Sequence, residues 1–213
     1  MLKIGLTGNI GVGKTTISKI FKELGIPIFN SDLFSREAEN ELYIKQGFKN
    51  VLGEDIYVDG ELDRDRMRKM IFTDRSLLSK IQGLVLPYVT EKFDEFSKEH
   101  KDEPYIILES AIIFETDSQG MFDYIITVIA DDDIRIKRVL ARDKTTLEEV
   151  QNKINNQFSQ DTKIFKSNFI IENNGEDLIN SLSDLDREVL EVHSEIIRLI
   201  AQKKLKENRN GKV

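Results

Sequence analysis

A chain of 213 residues with 39% hydrophobic and 32% charged residues has the composition of a globular protein that can bury a sizeable core. Its net charge of −7 argues against a nucleic-acid-binding surface, and the sequence contains no apolar run of the length that a transmembrane helix needs. The absence of cysteine excludes a disulfide framework, a thiol nucleophile and a zinc–thiolate site from this chain, and we expect a cytoplasmic protein.

The first recognisable motif is a glycine-rich stretch at residues 8–15, which matches the phosphate-binding pattern G-x-x-x-x-G-K-[ST] of the P-loop. A short buried strand is predicted before it, over residues 2–7, and an amphipathic helix after it, over residues 16–24. Glycines let the backbone curl around a phosphate, and the loop N–H groups together with the helix N-terminus attract the anion. The residues expected to bind nucleotide phosphates are Gly8, Asn9, Ile10, Gly11, Val12, Gly13, Lys14, Thr15 and Thr16.

Two side chains at the end of this motif carry specific chemistry. Lys14 can reach the β- and γ-phosphates as a point charge, and the hydroxyl of Thr15 is a candidate ligand of Mg²⁺. The plainer interpretation is a glycine-rich turn that is followed by chance by Lys and Thr.

Strands alternate with helices along the chain, which predicts an α/β protein with a five-stranded parallel sheet of the P-loop type and helices on both faces. After the first strand, the other four are predicted over residues 26–29, 105–108, 124–130 and 168–171. We expect a core of residues 1–32, 103–137 and 166–206, a helical substrate-binding subdomain at about 33–102 and a lid at about 138–165. The P-loop, Asp32 and Glu109 all follow strands, where functional groups gather in such sheets.

The stretch between the second and third strands is too long for one crossover helix. We expect mostly helix there, with Pro87 interrupting the last helical segment and Asp59-Gly60 forming a turn. The predicted helices cover residues 31–43, 41–52, 63–73, 77–86 and 88–97. A substrate-binding role is favoured, and a purely structural elaboration is the alternative.

Two more helices are predicted after the fourth strand, over residues 132–142 and 146–158, joined through Asp143, Lys144 and Thr145. Arg135, Arg138 and Arg142 fall at i, i+3 and i+7, so they share one face. We interpret this pair as a lid over bound phosphates; the alternative is an ordinary solvated basic face.

The last predicted helix is long and begins at Glu176. Its apolar positions favour packing on the core, with a dimerising coiled coil as the alternative, and His193 is interpreted as structural. A frayed, solvated end is expected from about Lys203 onward.

Two carboxylates are candidates for chemistry beside the phosphates. Asp32 is the best candidate base or positioning group for an acceptor hydroxyl, and its alternative role is to cap the next helix. Glu109 could hold Mg²⁺ through water or orient Lys14, and its alternative is a strand-end charge in solvent. Because the Asn-Lys-x-Asp guanine signature is absent, a small-molecule kinase fits better than a GTPase.

From Lys3 to about Leu182, the order and spacing of several motifs resemble the dephospho-CoA kinase family. The P-loop and the residues before it are close to the family's I-x-L-T-G-G-I-G-S-G-K-S. The later matches are Asn30-Ser31-Asp32 with Arg36, Gly60-x-Leu62-x-Arg64, Arg68, Ile71-Phe72, Leu86-Pro87, residues 109–115, Arg135-x-x-Arg138, Arg142-Asp143, Asn156-Gln157 and Ile170-x-x-Asn173-x-Gly175.

The resemblance implies ATP-dependent, Mg²⁺-assisted phosphorylation of the ribose 3′-hydroxyl of dephospho-CoA, the last step of coenzyme A synthesis. It implies that Asp32 is the base, that Arg138 and Arg142 contact ATP phosphates, and that the turn from Asn173 to Gly175 contacts adenine. The substrate-binding candidates are Asp32, Arg36, Arg64, Arg68 and Glu109, and the alternative role of the three arginines is to form ion pairs within the subdomain. It implies no nucleic-acid or membrane partner, and a monomer or weak homo-oligomer. Other small-molecule or nucleoside monophosphate kinases, and a non-catalytic ATP-binding regulator, are the alternatives.

The chain departs from the family pattern at four positions. Asn30 replaces the first aspartate of D-A-D, and Leu86 replaces a histidine before the proline. Asn168 replaces an aspartate. Asn9 replaces a glycine, and we expect the loop to survive because asparagine tolerates positive φ.

Overall fold

The computed structural model describes residues 1–74, 76–143, 145–175 and 178–210, leaving out the side chains of 178–183 and 208–210. Its strands are β1 Leu2–Gly8, β2 Ile28–Asn30, β3 Tyr57–Val58, β4 Glu61–Leu62, β5 Tyr105–Glu109, β6 Tyr124–Ile129 and β7 Phe169–Glu172. Its α-helices are α1 Lys14–Glu23, α2 Ser31–Ala38, α3 Leu42–Leu52, α4 Arg64–Thr73, α5 Ser76–Glu99, α6 Asp132–Asp143, α7 Leu147–Asn155, α8 Gln160–Lys166 and α9 Leu178–Asn210.

The chain divides into two compact units, one formed by Met1–Phe29 with His100–Val213 and the other by Asn30–Glu99. None of the helices in the described ranges combines the length and the apolarity that spanning a membrane would require.

A five-stranded sheet in the order β2-β5-β1-β6-β7 confirms the predicted fold class. β1 lies at its centre, in parallel with β5 on one side and β6 on the other, so that Gly5 stands between Leu108 and Ile125. These strands are buried on both faces, which explains their nearly continuous apolar sequences.

Some strand boundaries differ from the prediction because backbone or side-chain groups are already used. β2 begins at Ile28 rather than Ile26, because the Ile26 N–H closes a turn onto the Phe21 carbonyl and Pro27 has no N–H. β7 begins after Asn168, whose side-chain oxygen accepts the N–H of Ile125 at 2.8 Å. The departure at position 168 therefore keeps a hydrogen-bond acceptor at the sheet edge.

The core of the first unit joins α1 and α9 to the sheet. Ile17 and Phe21 of α1 pack in the same buried cluster as Leu185, Val189 and Ile196 of α9. α9 continues as helix to Asn210, so fraying from Lys203 was wrong, although residues 203–207 are exposed as expected; residues 211–213 lie outside the described residues. Its predicted start at Glu176, like the linking Lys144, lies outside the described residues.

Between β6 and β7 the described residues form three helices, where two were predicted. Thr146 forms a capping box with Glu149 at the start of α7, but α7 ends at Asn155. The residues after it form α8, whose N-cap is Ser159. A single helix over residues 146–158 was therefore wrong.

The second unit is helical and has a core of its own, formed around Ile44, Phe48 and Leu52 of α3. The predicted turn at Asp59-Gly60 is confirmed as the connection between β3 and β4. α2 ends at Ala38, earlier than predicted, because the Asn40 and Glu41 N–H groups turn back onto Glu37 and Ala38.

α5 runs continuously through Pro87, so the predicted interruption was wrong. A helical Pro87 leaves the Gly83 carbonyl without its usual donor, and nothing lies within 4 Å of the position of a Cβ at Gly83. Gly83 and Pro87 also line an open groove along α5. Buried residues on both sides, including Ile81 and Tyr88, hold the two halves in one helix.

Candidate phosphate-binding site

The P-loop connects β1 to α1 with the backbone geometry that its glycines permit. Gly11 and Gly13 have φ angles of +85° and +90°. A Cβ at Gly11 would lie 2.4 Å from the Arg135 carbonyl oxygen, and one at Gly13 would lie 2.2 Å from Asn173 Nδ2. Both positions therefore need glycine for the backbone angle and for the close packing behind the loop.

Asn9 does not use the positive φ that we expected it to tolerate. The described non-glycine residues with positive φ are Asp59 and Asp117. The Asn9 side chain instead joins the loop to a distant segment, because its Nδ2 donates a hydrogen bond to the Phe158 carbonyl at 2.9 Å. The departure from glycine thus adds a contact between the loop and the segment after α7.

Lys14, the first residue of α1, folds back over the loop. Its Nζ donates to the Gly8 carbonyl at 2.9 Å and to the Asn9 carbonyl at 3.4 Å. Two backbone carbonyls of the loop thus hold the ammonium group beside it.

Glu109 ends β5 beside the start of α1 and is only 8% exposed. Its Oε2 accepts a hydrogen bond from Ser18 Oγ at 2.8 Å, and its Oε1 accepts one from Thr15 Oγ1 at 3.4 Å. Thr15 and Ser18 are three residues apart in α1, so one carboxylate reaches both. The alternative of a carboxylate in solvent was wrong, and the sequence did not indicate Ser18 because its partner is far away in the chain.

The oxygen groups around Thr15 suit a nucleotide-bound Mg²⁺ ion. No group of three or more His, Cys, Asp or Glu side chains within the described ranges could hold a metal ion. Mg²⁺ takes oxygen ligands and usually binds to substrate phosphates with one or two protein groups and water. Thr15 and Glu109 supply such groups, so the residues present fit the ion.

Asn173 and Arg138 support the loop from the other side. Asn173 Nδ2 donates to the Val12 carbonyl at 2.8 Å. Arg138 donates to the carbonyls of Asn173 and Gly175 at 2.9 and 3.0 Å, and burial lowers the pKa of its guanidinium below the ordinary value. The structure thus brings Arg138, Asn173 and Gly175 together at the P-loop.

The three arginines of α6 have different surroundings despite their shared face. Arg135 is 4% exposed and pairs with Asp132 at 2.8 Å. Arg142 is exposed and pairs with Asp143 at 2.6 Å, which raises the pKa of Arg142 and lowers that of Asp143. Arg138 is the one of the three whose guanidinium is held at the loop.

The predicted acceptor-side residues other than Glu109 lie in the second unit. Asp32 is exposed on the first turn of α2, and Asn30 is the N-cap, accepting the Leu33 N–H at 3.1 Å. The alternative role of Asp32 as the cap was therefore wrong, and the departure at position 30 has a structural use.

The predicted substrate arginines of this unit are exposed or paired with carboxylates. Arg36 is exposed on α2. Arg64 pairs with Glu39, and Arg68 pairs with Asp65 at 2.5 Å. Burial raises the pKa of Glu39 although Arg64 opposes the shift. Leu86 lines an open groove along α5 with Pro87 and Thr90.

The family model described as dephospho-CoA kinase (CoaE) matches residues 2–178. A dephospho-CoA kinase of Bacteroides fragilis is 32% identical over 82% of this chain and 86% of its own length. Among solved structures, TT1252 of Thermus thermophilus has a TM-score of 0.77 at 28% identity and covers 91% of this chain and 97% of its own.

A dephospho-CoA kinase of Campylobacter jejuni has the same fold, with a TM-score of 0.63 at 22% identity over 92% of this chain and 97% of its own. The fold, the P-loop and the extent of the sequence match agree with one another. This chain therefore belongs to the dephospho-CoA kinase family and is a P-loop kinase.

Proposed function

We propose that this chain transfers the γ-phosphate of ATP to the ribose 3′-hydroxyl of dephospho-CoA and so completes the synthesis of coenzyme A. The observation that carries the proposal is the family match over residues 2–178, which includes a P-loop with Lys14 and Thr15 in position to act on phosphates. We also infer that it works in the cytoplasm as a monomer or weak homo-oligomer without a nucleic-acid partner, in keeping with its net charge of −7.

The P-loop holds the triphosphate of ATP. Its inward N–H groups and the N-terminus of α1 balance the negative charge, and Lys14 neutralises the charge that develops on the γ-phosphate during transfer. Arg138, already fixed beside Gly13, adds a second cation there. Arg142 contacts phosphate after its ion pair with Asp143 has been broken.

Mg²⁺ is the metal that this site would use. Thr15 and Glu109 would hold it, and the Ser18 hydroxyl keeps Glu109 in place. When bound, the ion would supply charge neutralisation for the phosphates.

Asp32 is the base for the acceptor. The 3′-oxygen forms a bond to the γ-phosphorus while the bond from that phosphorus to the departing ADP oxygen breaks, and the hydroxyl proton moves to the Asp32 carboxylate. Its exposed position on the first turn of α2, free of a capping role, supports this assignment. Arg36, Arg64 and Arg68 are the candidate cations for the phosphates of the substrate.

One assay tests the function. The protein is incubated with Mg-ATP and, in separate reactions, dephospho-CoA, AMP and CMP, and the products are identified by mass spectrometry. We expect one phosphate to be added to dephospho-CoA alone. Transfer only to a nucleoside monophosphate would overturn the proposed acceptor, and ATP binding without transfer to any of them would favour a regulatory protein.

A further inference from the structure

Gln157 and Phe158, which precede the N-cap of α8, are hydrogen-bonded to the first half of the P-loop. Gln157 Oε1 accepts the Ile10 N–H at 2.8 Å. The Phe158 carbonyl accepts the Asn9 side chain at 2.9 Å, and the Phe158 N–H donates to Glu115 Oε1 at 2.8 Å. Both backbone polar groups of Phe158 are therefore held, one by the loop and one by Glu115.

A buried lysine holds the same carboxylate oxygen. The Lys163 side chain is fully buried, and its Nζ lies 2.8 Å from Glu115 Oε1, whose side chain is 9% exposed. The Nζ also donates to the Ala111 carbonyl at 2.7 Å, two residues after Glu109. Burial lowers the pKa of Lys163, and Glu115 opposes that shift.

A buried ion pair contributes little net free energy to folding. Removing two charges from water costs several kcal/mol per ion, and well-packed apolar residues often serve as well or better. The pair here has a further effect, because Glu115 Oε2 is buried without a hydrogen-bond partner among the described residues. Oε1 alone therefore carries both the bond to Lys163 and the bond to Phe158.

We propose that Glu115 and Lys163 are positioning residues for ATP, acting through Phe158 and Gln157 to hold Asn9 and Ile10 in the phosphate-binding conformation of the loop. The proposal rests on the ATP-binding part of the proposed function and is independent of the acceptor. Together with the hydrogen bond from Asn173 to the Val12 carbonyl, these contacts hold both halves of the loop.

These hydrogen bonds also give the N–H groups of the loop two different roles. The N–H of Ile10 is already bonded to Gln157, so the phosphate-facing N–H groups begin at Gly11. Ile10, which we first grouped with the phosphate-binding residues, then acts as the fixed end of the loop.

Gln157→Met provides the first test, because it keeps the side-chain length and removes the acceptor for Ile10. Gln151→Met on α7 is the matched control, since Gln151 is exposed and bonds only across its own helix to Asn155. Calorimetry with Mg-ATP and hydrogen exchange of the peptide covering residues 8–16 are the measurements. We expect the Kd for ATP to rise about tenfold in Gln157→Met, with faster exchange in the loop, and neither change in the control.

A double variant separates positioning from stability. Lys163→Met alone leaves Glu115 as a buried charge, so it is expected to unfold more easily and to bind ATP more weakly. Glu115→Met with Lys163→Met replaces both charges and should recover thermal stability, but it leaves the Phe158 N–H without its acceptor. We therefore expect the Kd for ATP to stay several-fold above wild type while the KM for dephospho-CoA changes less than twofold.

Wild-type ATP affinity in both Gln157→Met and the double variant would overturn the proposal. If the double variant fails to fold, the outcome for Gln157→Met decides it. A wild-type protein that binds no ATP would overturn this inference and the proposed function together. A wild-type protein that binds ATP and phosphorylates another acceptor would overturn the proposed acceptor alone.

Discussion

Some of the cations proposed to bind ligands have different kinds of partner in the two units. In the first unit, Lys14 and Arg138 donate to backbone carbonyls, which are neutral. In the second, Arg64 and Arg68 are paired with carboxylates of the same unit. A cation held by carbonyls keeps its full charge for an anionic ligand, whereas a paired cation must exchange one anion for another. Arg138 is therefore held with its charge available to an anionic ligand, whereas Arg64 and Arg68 must first leave their carboxylates.

The largest effect is expected from Lys14→Met. This variant removes the ammonium group of the P-loop while keeping the length of the side chain. We expect kcat/KM for ATP to fall about 10³-fold, because charge stabilisation of the transferred phosphoryl group is lost. Steady-state kinetics with dephospho-CoA at saturation measures it, and a fall of less than tenfold would contradict the role given to the P-loop lysine.

Asp32→Asn is expected to act on chemistry rather than on ATP binding. The amide keeps the size of the carboxylate but cannot accept the hydroxyl proton, so kcat should fall by about 10²-fold or more. Calorimetry should give an ATP affinity within twofold of wild type. Near-normal turnover would remove Asp32 as the base.

A paired comparison within α6 sharpens the contrast between the two kinds of cation. Arg138 is held by carbonyls and Arg142 by Asp143. We expect Arg138→Met to lower kcat/KM for ATP by about tenfold or more, and Arg142→Met to lower it by about threefold. Equal effects would show that the ion pair with Asp143 does not weaken Arg142.

Glu39→Gln tests the paired side of the comparison. Removal of the carboxylate frees Arg64 for an anionic substrate, so the KM for dephospho-CoA is expected to fall about two- to threefold while the KM for ATP stays constant. Arg68 paired with exposed Asp65 offers the control, since Asp65→Asn should change either KM by less than twofold. A raised KM in Glu39→Gln would mean that Glu39 positions Arg64 rather than occupying it.

The smallest effect concerns pH and lies away from the site. His193 Nδ1 is 2.8 Å from the Tyr105 hydroxyl, and burial lowers the pKa of His193. Because the unfolded chain binds the proton more tightly, the stability contributed by neutral His193 is present above about pH 6.5 and is lost as the pH falls through the lower folded pKa. Between pH 7.5 and 5, the Tm of His193→Gln should fall by about 1–2 °C less than that of wild type. The same dependence of Tm on pH in wild type and His193→Gln would contradict this contribution of His193.

Local sequence was enough for the P-loop and most of the fold. The P-loop and the β3–β4 turn depend on short-range chemistry, namely glycine spacing and turn residues, and the buried strands are legible as apolar runs. The predicted interruption at Pro87 was wrong because the outcome depends on the surroundings of Gly83 and on packing along α5. Rules based on neighbouring residues in the sequence do not include either of them.

The remainder of the site required distant partners. Ser18 meets Glu109, Gln157 meets Ile10, and each pair is far apart in the chain. Nothing in the sequence neighbours of Lys163 indicates its full burial. The roles of individual site residues, Asp32 and the arginines above all, stay predictions until the variants are measured.

The central position of β1 also constrains the order in which the protein can fold during synthesis. Its hydrogen-bonding neighbours are β5 and β6, which end at Glu109 and Ile129. A ribosome adding about 5–20 residues per second therefore holds β1 unpaired for several seconds, while residues 30–99 can already emerge as a compact unit. The nucleotide loop is among the earliest parts to be translated and among the last to take its shape. A truncated nascent chain that ends before β6 would consequently present no ATP site, so nucleotide binding during translation reports that the central sheet has been completed.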